Sequence, residues 1–283
     1  MFNLMISPIL SYGCEIWGLR IAEPIDRFHL SFLKCLLEVK ASTPNSYVYG
    51  ELGVYPLIIE RKMRVIKYWL KIIKNINGRE HFVQKVYKEL VNISITNPNC
   101  ETWVSGVKSL LESTGFNYIW QQQFVINERE FLKCFKQRLT DIYKQHWWSE
   151  IQLTTNNRLF KHIKNEFIFE SYLRMNNRAL RTSLTKIRLS SHIFFIERGR
   201  WGPNVVNIDE RKCNICNVVE NEYHCLIECP KFNNERRGLL TKELVSNPNF
   251  YNFVHFFTSN DLKTQRKLAL LSFKIQKEYK ELL

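Results

Sequence analysis

The amino-acid sequence predicts a mainly α protein. Apolar residues recur mostly at helical spacing, and no stretch alternates apolar and polar residues for long enough to predict a sheet. Glycine is scarce, with 10 among 283 residues, and 45% of the chain is hydrophobic, so helices can bury a substantial core. The expected architecture is a series of amphipathic helices, then a small zinc-binding module and a C-terminal helix.

Two strongly amphipathic segments lie in the N-terminal third of the chain. Residues 23–39 carry a proline in the first turn and a wide apolar stripe, which predicts a core helix. Pro56 opens a second predicted helix, in which apolar residues line one side and basic residues occupy much of the remainder. Lys67, Lys71 and Lys74 on this helix are consistent with a solvated face and equally with a phosphate-facing one.

Helical spacing predicts the remaining helices over residues 79–91, 102–113, 128–146, 158–173, 179–191 and 261–279. Polar stretches at residues 93–98 and just before Val205 indicate two boundaries. We therefore divide the chain into a helical region over residues 1–92, a basic helical region over residues 93–205, and a zinc-binding module with a C-terminal helix over residues 206–283.

The charge of the chain favours a polyanionic partner. There are 41 Lys and Arg residues against 27 Asp and Glu residues, a formal net charge of +14, which makes nucleic acid the first candidate. Two-metal phosphoryl transfer needs clustered carboxylates, but the aspartates of this chain are scattered and no two are adjacent. An enzyme site would need distant glutamates such as Glu166, Glu170 and Glu197, which no spacing supports. We therefore expect a non-catalytic protein.

One predicted basic surface lies within residues 128–146, where basic side chains recur at helical spacing. The opposite face holds Phe131, Phe135, Leu139 and Ile142. A helix with this pattern buries its apolar face and presents its cations in a row. Trp147 and Trp148 follow, and such residues are more often buried anchors than platforms for bases.

A second predicted basic surface lies within residues 171–196, which contain no acidic residue. On a helix, Arg178, Arg181 and Arg188 lie along one edge beside an apolar face, and the planar guanidinium group suits phosphate oxygens. A solvated or salt-bridging face is the alternative interpretation. The residues that we predict to contact nucleic acid are Arg129, Lys133, Lys136, Lys144, Arg174, Arg178, Arg181, Lys186, Arg188, Arg198 and Arg200.

The most specific motif is a cysteine and histidine cluster near the C-terminal end. Cys213 and Cys216 are separated by two residues, and His224 and Cys229 by four, which suits one tetrahedral zinc ion. Asn217 tolerates the positive φ that a turn after such a pair often needs. Thiolate and imidazole ligands favour zinc over a hard cation. Because the protein fills all four positions, the predicted site is structural.

Cys225 leaves one alternative open, because a four-cysteine set with Cys225 in place of His224 is sterically conceivable. We favour His224, since a buried thiol at Cys225 would help to pack so small a module. No window approaches about 18 uninterrupted apolar residues, and residues 1–10 lack the features of a secretory signal. We expect an intracellular protein, nuclear or cytoplasmic, without a membrane partner, in which clustered cysteines bind metal rather than form disulfides.

Several short sequence motifs are distributed along nearly the whole chain. PILSYGCEIWG spans residues 8–18, TPN and YGELG with YPL lie within residues 43–57, LRTSLTKIR spans residues 180–188, and ERGR spans residues 197–200. The closing zinc ligands lie in the sequences EYH and ECP. Together these motifs resemble the C-terminal part of non-LTR (LINE-type) retrotransposon reverse transcriptases, the region that follows the polymerase palm.

The resemblance implies a thumb-like helical region and a terminal zinc module that handle template RNA or target DNA for an upstream reverse transcriptase domain. The family's aromatic-x-Asp-Asp polymerase motif is absent from this chain, so we expect a non-catalytic fragment. The rival hypothesis is a zinc-stabilised interaction module that docks on an acidic partner or on a separate polymerase domain. Salt-sensitive binding to mixed-sequence nucleic acid distinguishes the two.

Overall fold

A computed structural model describes residues 2–74, 82–97, 99–153, 159–201 and 204–282. About 70% of the protein is helical and the described ranges contain no β-strand, which confirms the mainly α fold class. The helices of eight or more residues in these ranges are α1 (Glu23–Leu37), α2 (Asn45–Leu52), α3 (Leu57–Lys74), α4 (Phe82–Thr96), α5 (Trp103–Ser113), α6 (Glu128–Leu153), α7 (Arg178–Arg188), α8 (Phe250–Thr258) and α9 (Leu262–Glu281).

Shorter helical segments connect these helices. The α-helical ones are Ser7–Leu10, Cys14–Trp17, Asn117–Gln122, Phe160–Ile163, Phe195–Arg198, Asn233–Arg236 and Lys242–Ser246. The 3₁₀ segments are Ser171–Arg174, Ile208–Glu210 and Pro230–Phe232, and the π-helical ones are Phe2–Ile6 and His224–Glu228. In the described part of the chain, no helix combines the length and the apolar composition that crossing a bilayer requires.

The chain divides into two compact units. The first contains Met1–His29 and Tyr55–His146, and the second contains Leu30–Val54 and Trp147–Leu283. Each unit therefore combines two separate parts of the chain, and the boundaries fall inside α1 and α6. This grouping differs from the three consecutive segments, which rest on polar stretches alone, because packing assigns α2 to the C-terminal half.

The core of the first unit forms around α3, whose apolar face packs against residues of α4, α5 and α6. Trp69 is fully buried, and its Nε1 donates a hydrogen bond to the hydroxyl of Tyr87 at 3.0 Å. That hydroxyl donates in turn to Gln123 Oε1 at 2.6 Å, so the buried polar groups are satisfied. The guanidinium of Arg61, also buried, makes two hydrogen bonds of 3.0 and 2.9 Å to the Asp26 carboxylate.

The core of the second unit forms where α7 packs on α9, with Leu184 and Ile275 among the buried residues. Trp147 is buried as well, and its Nε1 donates to the carbonyl oxygen of Ser46 at 2.8 Å. A Cβ atom at Gly50 would lie 2.6 Å from the Trp147 ring, so only glycine allows this close approach. Trp147 is therefore a buried anchor, as the sequence analysis favoured.

Most of the predicted helices are confirmed, with small shifts of their ends. α5 begins after Thr102, whose hydroxyl accepts a hydrogen bond from the Ser105 amide, and α9 begins after Asp261, which caps Thr264 in the same way. α6 starts at Glu128 but continues seven residues beyond the predicted end at 146. The predicted start of α4 at residues 79–81 lies outside the described residues.

The helix predicted over residues 158–173 is wrong. Its first residue lies outside the described residues, and the remainder forms an α-helix only over Phe160–Ile163, followed by an irregular segment and the 3₁₀ segment Ser171–Arg174. Phe169 forms an antiparallel bridge with Leu52, and the Glu170 amide donates to the Glu51 carbonyl at 3.2 Å. Tertiary pairing with α2 thus overrides the helical spacing of this segment.

Candidate metal centre and basic surfaces

The four predicted zinc ligands come together in the second unit. The ligand atoms of Cys213, Cys216, His224 and Cys229 all lie within 4.8 Å of one another. The sulfur of Cys229 lies 3.8 Å from that of Cys213 and 4.0 Å from that of Cys216. Tetrahedral zinc with Zn–S bonds of about 2.3 Å places sulfur atoms about 3.8 Å apart, so the cluster can hold such an ion.

The local backbone brings the first two cysteines to one point. Cys213 donates its amide to the Val218 carbonyl at 2.8 Å, and the Asn217 amide donates to the Cys213 carbonyl at 2.9 Å. Asn217 has φ of +55°, which confirms the turn expected after the pair. Burial raises the pKa of the Cys213 thiol, but the backbone amides of Cys216 and Ile215, together with the side chains of His224 and Cys229, outweigh this effect and lower the pKa to about 7.

His224 is the first residue of the π-helical turn His224–Glu228, and Cys229 follows directly after its last residue. Pro230 then begins the next segment. The Nε2 atom of His224 is buried and has no hydrogen-bond partner among the described residues. Its Nδ1 atom lies 3.4 Å from Glu228 Oε2. A metal-binding imidazole commonly has this arrangement, with one nitrogen for the ion and the other oriented by a carboxylate.

Arg236 holds the metal-binding segment in place without being a ligand. This buried guanidinium donates to the carbonyl oxygens of Leu226 at 2.9 Å and of Cys225 at 3.1 Å. It also donates to the carbonyl oxygen of Cys229 at 2.5 Å. The side chain therefore satisfies three buried acceptors and places a positive charge beside the thiolates.

Cys225 lies outside this group of ligand atoms. It is 1% exposed and belongs to the hydrophobic core of the second unit, together with Leu226 and Phe232. Burial raises the pKa of its thiol well above the usual value, so the thiol is stabilised in its neutral form. The geometry therefore favours His224 as the fourth ligand.

The first basic surface lies on α6, where Arg129, Lys133, Lys136 and Lys144 form what we call the α6 stripe. The first three are exposed and Lys144 is half-buried, whereas Phe131, Phe135 and Leu139 on the other side are buried. Ile142 is 41% exposed, so its predicted place on the apolar face is wrong. Tyr143 continues that face instead, with its ring against Tyr55.

Arg188 does not lie on an exposed basic edge, contrary to the prediction. The side chain is 2% exposed, and its Nε donates to Glu51 Oε1 at 2.5 Å while its Nη2 lies 3.2 Å from Glu170 Oε2. The guanidinium is enclosed because it compensates two carboxylates within the second unit. Arg188 is thus a structural residue and not a phosphate contact.

The other predicted arginines differ in accessibility. Arg181 is half-buried and donates to the Met175 carbonyl at 2.8 Å. Arg200 is also half-buried and donates to both carboxylate oxygens of Glu197, at 2.9 and 3.0 Å. The exposed members of the predicted set are Arg129, Lys133, Lys136, Arg174, Arg178 and Arg198.

A groove of about 760 Å³ runs along α7 and α9 in the second unit, and we call it the basic groove. Its charged lining residues are Glu38, Lys40, Arg178, Lys186, Lys277 and Lys280. Glu38 is engaged by Arg178 at 2.6 Å, and Lys277 lies 3.9 Å from Glu281. Within the described ranges, Lys186 and Lys280 form no ion pair, so the groove carries a surplus of positive charge.

The sequence analysis predicted only Arg178 and Lys186 of these cations. Lys40 lies far from α7 in sequence, and its Nζ donates to the His192 carbonyl at 2.9 Å, a contact that only the fold reveals. Lys277 and Lys280 follow Phe273 at helical spacing on one face of α9, and this spacing is the signal that would have identified them.

Searches against protein families, curated proteins and solved structures find no match for this chain.

Proposed function

We propose that the protein binds nucleic acid by contacting phosphates, chiefly through the basic groove, and that zinc at the cysteine and histidine cluster stabilises the same unit. The observation that carries this proposal is the groove itself, which five cations and one carboxylate line. Lysine and arginine side chains in a concave surface are the usual means of holding a phosphate backbone without reading bases.

The environment of Lys40 supports an anionic ligand. The pKa of this ammonium group is lowered, and burial is the largest cause. The negative charge of Glu197 opposes this shift, whereas the positive charges of Lys186 and Arg200 lower the pKa further. A phosphate among these cations would relieve their mutual repulsion. Thr182 and Ser191 are among the lining residues too, and hydroxyls commonly donate to phosphate oxygens.

Zinc would have a structural role in this proposal. Three thiolates and one imidazole fill a tetrahedral shell, so no position remains for a substrate or a water molecule. The ion would join the Cys213 turn to the π-helical segment, whose Leu226 and Ile227 lie in the core beside α7 and α9. Bound zinc would thereby fix one side of the unit that carries the groove.

The resemblance to retrotransposon reverse transcriptases agrees with this role and stays a prediction. In that interpretation the chain is a non-catalytic fragment that holds template RNA or target DNA, with an upstream polymerase domain as partner. Two of the three glutamates considered for an enzyme site, Glu170 and Glu197, are engaged by Arg188 and Arg200. Their involvement in ion pairs supports a structural rather than a catalytic use.

A salt titration of binding tests the proposal. Changing Lys186, Lys277 and Lys280 together to alanine should flatten the plot of log K against log salt by about two to three units, because each lost phosphate contact removes about 0.7 to 0.9. The matched control changes Lys263, Arg266 and Lys267 of α9, which are exposed and do not line the groove, and it should leave the slope nearly unchanged. An unchanged slope for the groove variant would favour the rival, an interaction module for an acidic partner.

A further inference from the structure

The basic groove has apolar as well as charged lining residues. Val39, Ile193 and Phe273 form what we call its floor, and all three are half-buried. Within the described residues, the ring of Phe273 stacks on no other aromatic ring, and Phe273 does not belong to the hydrophobic core formed by its neighbours Leu271 and Ile275. An aromatic ring in this position is a platform without a partner.

Each of the two helices contributes a stripe of lining residues to the groove. On α9, Phe273, Gln276, Lys277 and Lys280 follow the spacing i, i+3, i+4 and i+7, which is one helical face. On α7, the lining residues run from Arg178 to Lys186. Gln276 Nε2 donates to the carbonyl and hydroxyl oxygens of Ser183, at 2.9 and 2.6 Å, and joins the stripes at the floor.

These stripes have the length of a short piece of a single strand. A rise of 1.5 Å per residue gives a length of about 10 to 12 Å for each stripe. Successive nucleotides of one stacked strand rise about 3.4 Å along its axis, so the groove spans about three or four nucleotides. The groove therefore combines cations and an aromatic ring over a length that matches several nucleotides.

We infer that the basic groove binds an unpaired strand of RNA or DNA, with one base stacked on Phe273 and phosphates held by Lys186, Lys277 and Lys280. This inference rests on the proposed nucleic-acid-binding function. In a duplex, both faces of each base are covered by neighbouring pairs, so the floor of the groove would have nothing to contact. In a single strand, a base face is available to an aromatic side chain, and every base has one.

The test compares a mixed-sequence 12-nucleotide RNA, the same sequence as DNA, and the duplex of that sequence with its full complement, each titrated with the zinc-loaded full chain. Wild-type protein should bind both single strands more tightly than the duplex. Phe273→Leu should weaken single-strand binding about fivefold or more, which is the lower end of the loss expected for one stacked base. The salt slope should stay unchanged, because the phosphate contacts remain. Phe273→Tyr, which retains the ring, should bind like wild type.

Several results would overturn the inference. If Phe273→Leu binds single strands like wild type, or if the duplex binds equally well, the stacking site does not exist. Nucleic-acid binding would still stand if the triple lysine variant flattened the salt slope. If that variant leaves the slope unchanged and a polyglutamate peptide binds more tightly than either strand, the proposed function fails and the inference fails with it.

A second measurement does not depend on how well the Phe273→Leu variant folds. The fluorescence of 2-aminopurine placed in the single strand should fall on binding to wild-type protein, because stacking quenches this base. Scanning the base along the strand should give quenching at one or more positions. Unchanged fluorescence at every position, with binding confirmed by anisotropy, would overturn the stacking site and leave phosphate binding intact.

Discussion

Arg188 of α7 and Glu51 of α2 form a buried ion pair in the second unit, with side chains that are 2% and 0% exposed. Tyr172 donates its hydroxyl to Glu51 Oε1 at 2.6 Å, and Arg188 Nη1 donates to the Phe257 carbonyl at 3.2 Å. Burial raises the pKa of Tyr172 well above its usual value, so the hydroxyl keeps the proton that it donates. Such a pair stabilises the fold only while both partners are present.

Arg188→Ala should therefore lower the free energy of unfolding by about 3–5 kcal/mol, because it leaves the Glu51 carboxylate buried without its counter-charge. Urea denaturation measures the change. The control is Arg178→Ala on the same helix, where the side chain is 75% exposed and little change is expected. The double variant Arg188→Met with Glu51→Gln should lower the free energy of unfolding by less than the sum of the decreases for the two single variants. A loss for Arg188→Ala no larger than that of the control would contradict this account.

The same residue shows which contacts a sequence can and cannot predict. Helical spacing placed Arg178, Arg181 and Arg188 on one edge of a helix, but the acid that encloses Arg188 comes from 137 residues away. The zinc ligands were predictable because Cys213 and Cys229 lie only 16 residues apart and their spacing is set by local turns. Long-range ion pairs leave no comparable local signal.

Among the elements of the fold, the metal-binding segment combines a part that depends on the metal with a part that packs in the core. The turn at Cys213 is held by its own backbone hydrogen bonds and by the cluster. The π-helical turn instead buries Leu226 and Ile227 in the core of the second unit. The helical period could not predict this turn, nor the bridge of Phe169 to Leu52 that replaces the predicted helix over residues 158–173.

Chelating the metal should accordingly loosen the turn more than the core. Structural zinc contributes roughly 10 kcal/mol or more in small modules, so amide exchange over residues 211–222 should become at least about tenfold faster. Exchange in α3 and α5 of the first unit should not change. Hydrogen exchange read by mass spectrometry measures both. The Cys216→Ser variant should show the same faster exchange over residues 211–222. The Cys100→Ser variant, which changes an isolated cysteine, should retain zinc. Equal exchange over 211–222 with and without chelator would exclude a structural metal.

For the whole molecule, the net charge of +14 raises the question of whether nucleic acid would be held by particular surfaces or by charge alone. The first unit carries the α6 stripe, and the second carries the basic groove with its ring of Phe273. The stripe was predictable from one helix, because its cations and its buried Phe131 and Phe135 share a single period. The groove was not predictable from one helix, because it forms only when Lys40 and α9 lie beside α7.

Changing Arg129, Lys133 and Lys136 to glutamine should weaken binding of mixed-sequence nucleic acid and flatten its salt slope by about two to three units, if each side chain contacts one phosphate. The control removes the same charge from exposed Lys263, Arg266 and Lys267 of α9, which do not line the basic groove. Binding held by particular surfaces predicts a large effect for the stripe variant and a small one for the control. A combined stripe and groove variant should bind more weakly than either alone. Equal losses for stripe and control would show that net charge, and not these surfaces, holds the nucleic acid.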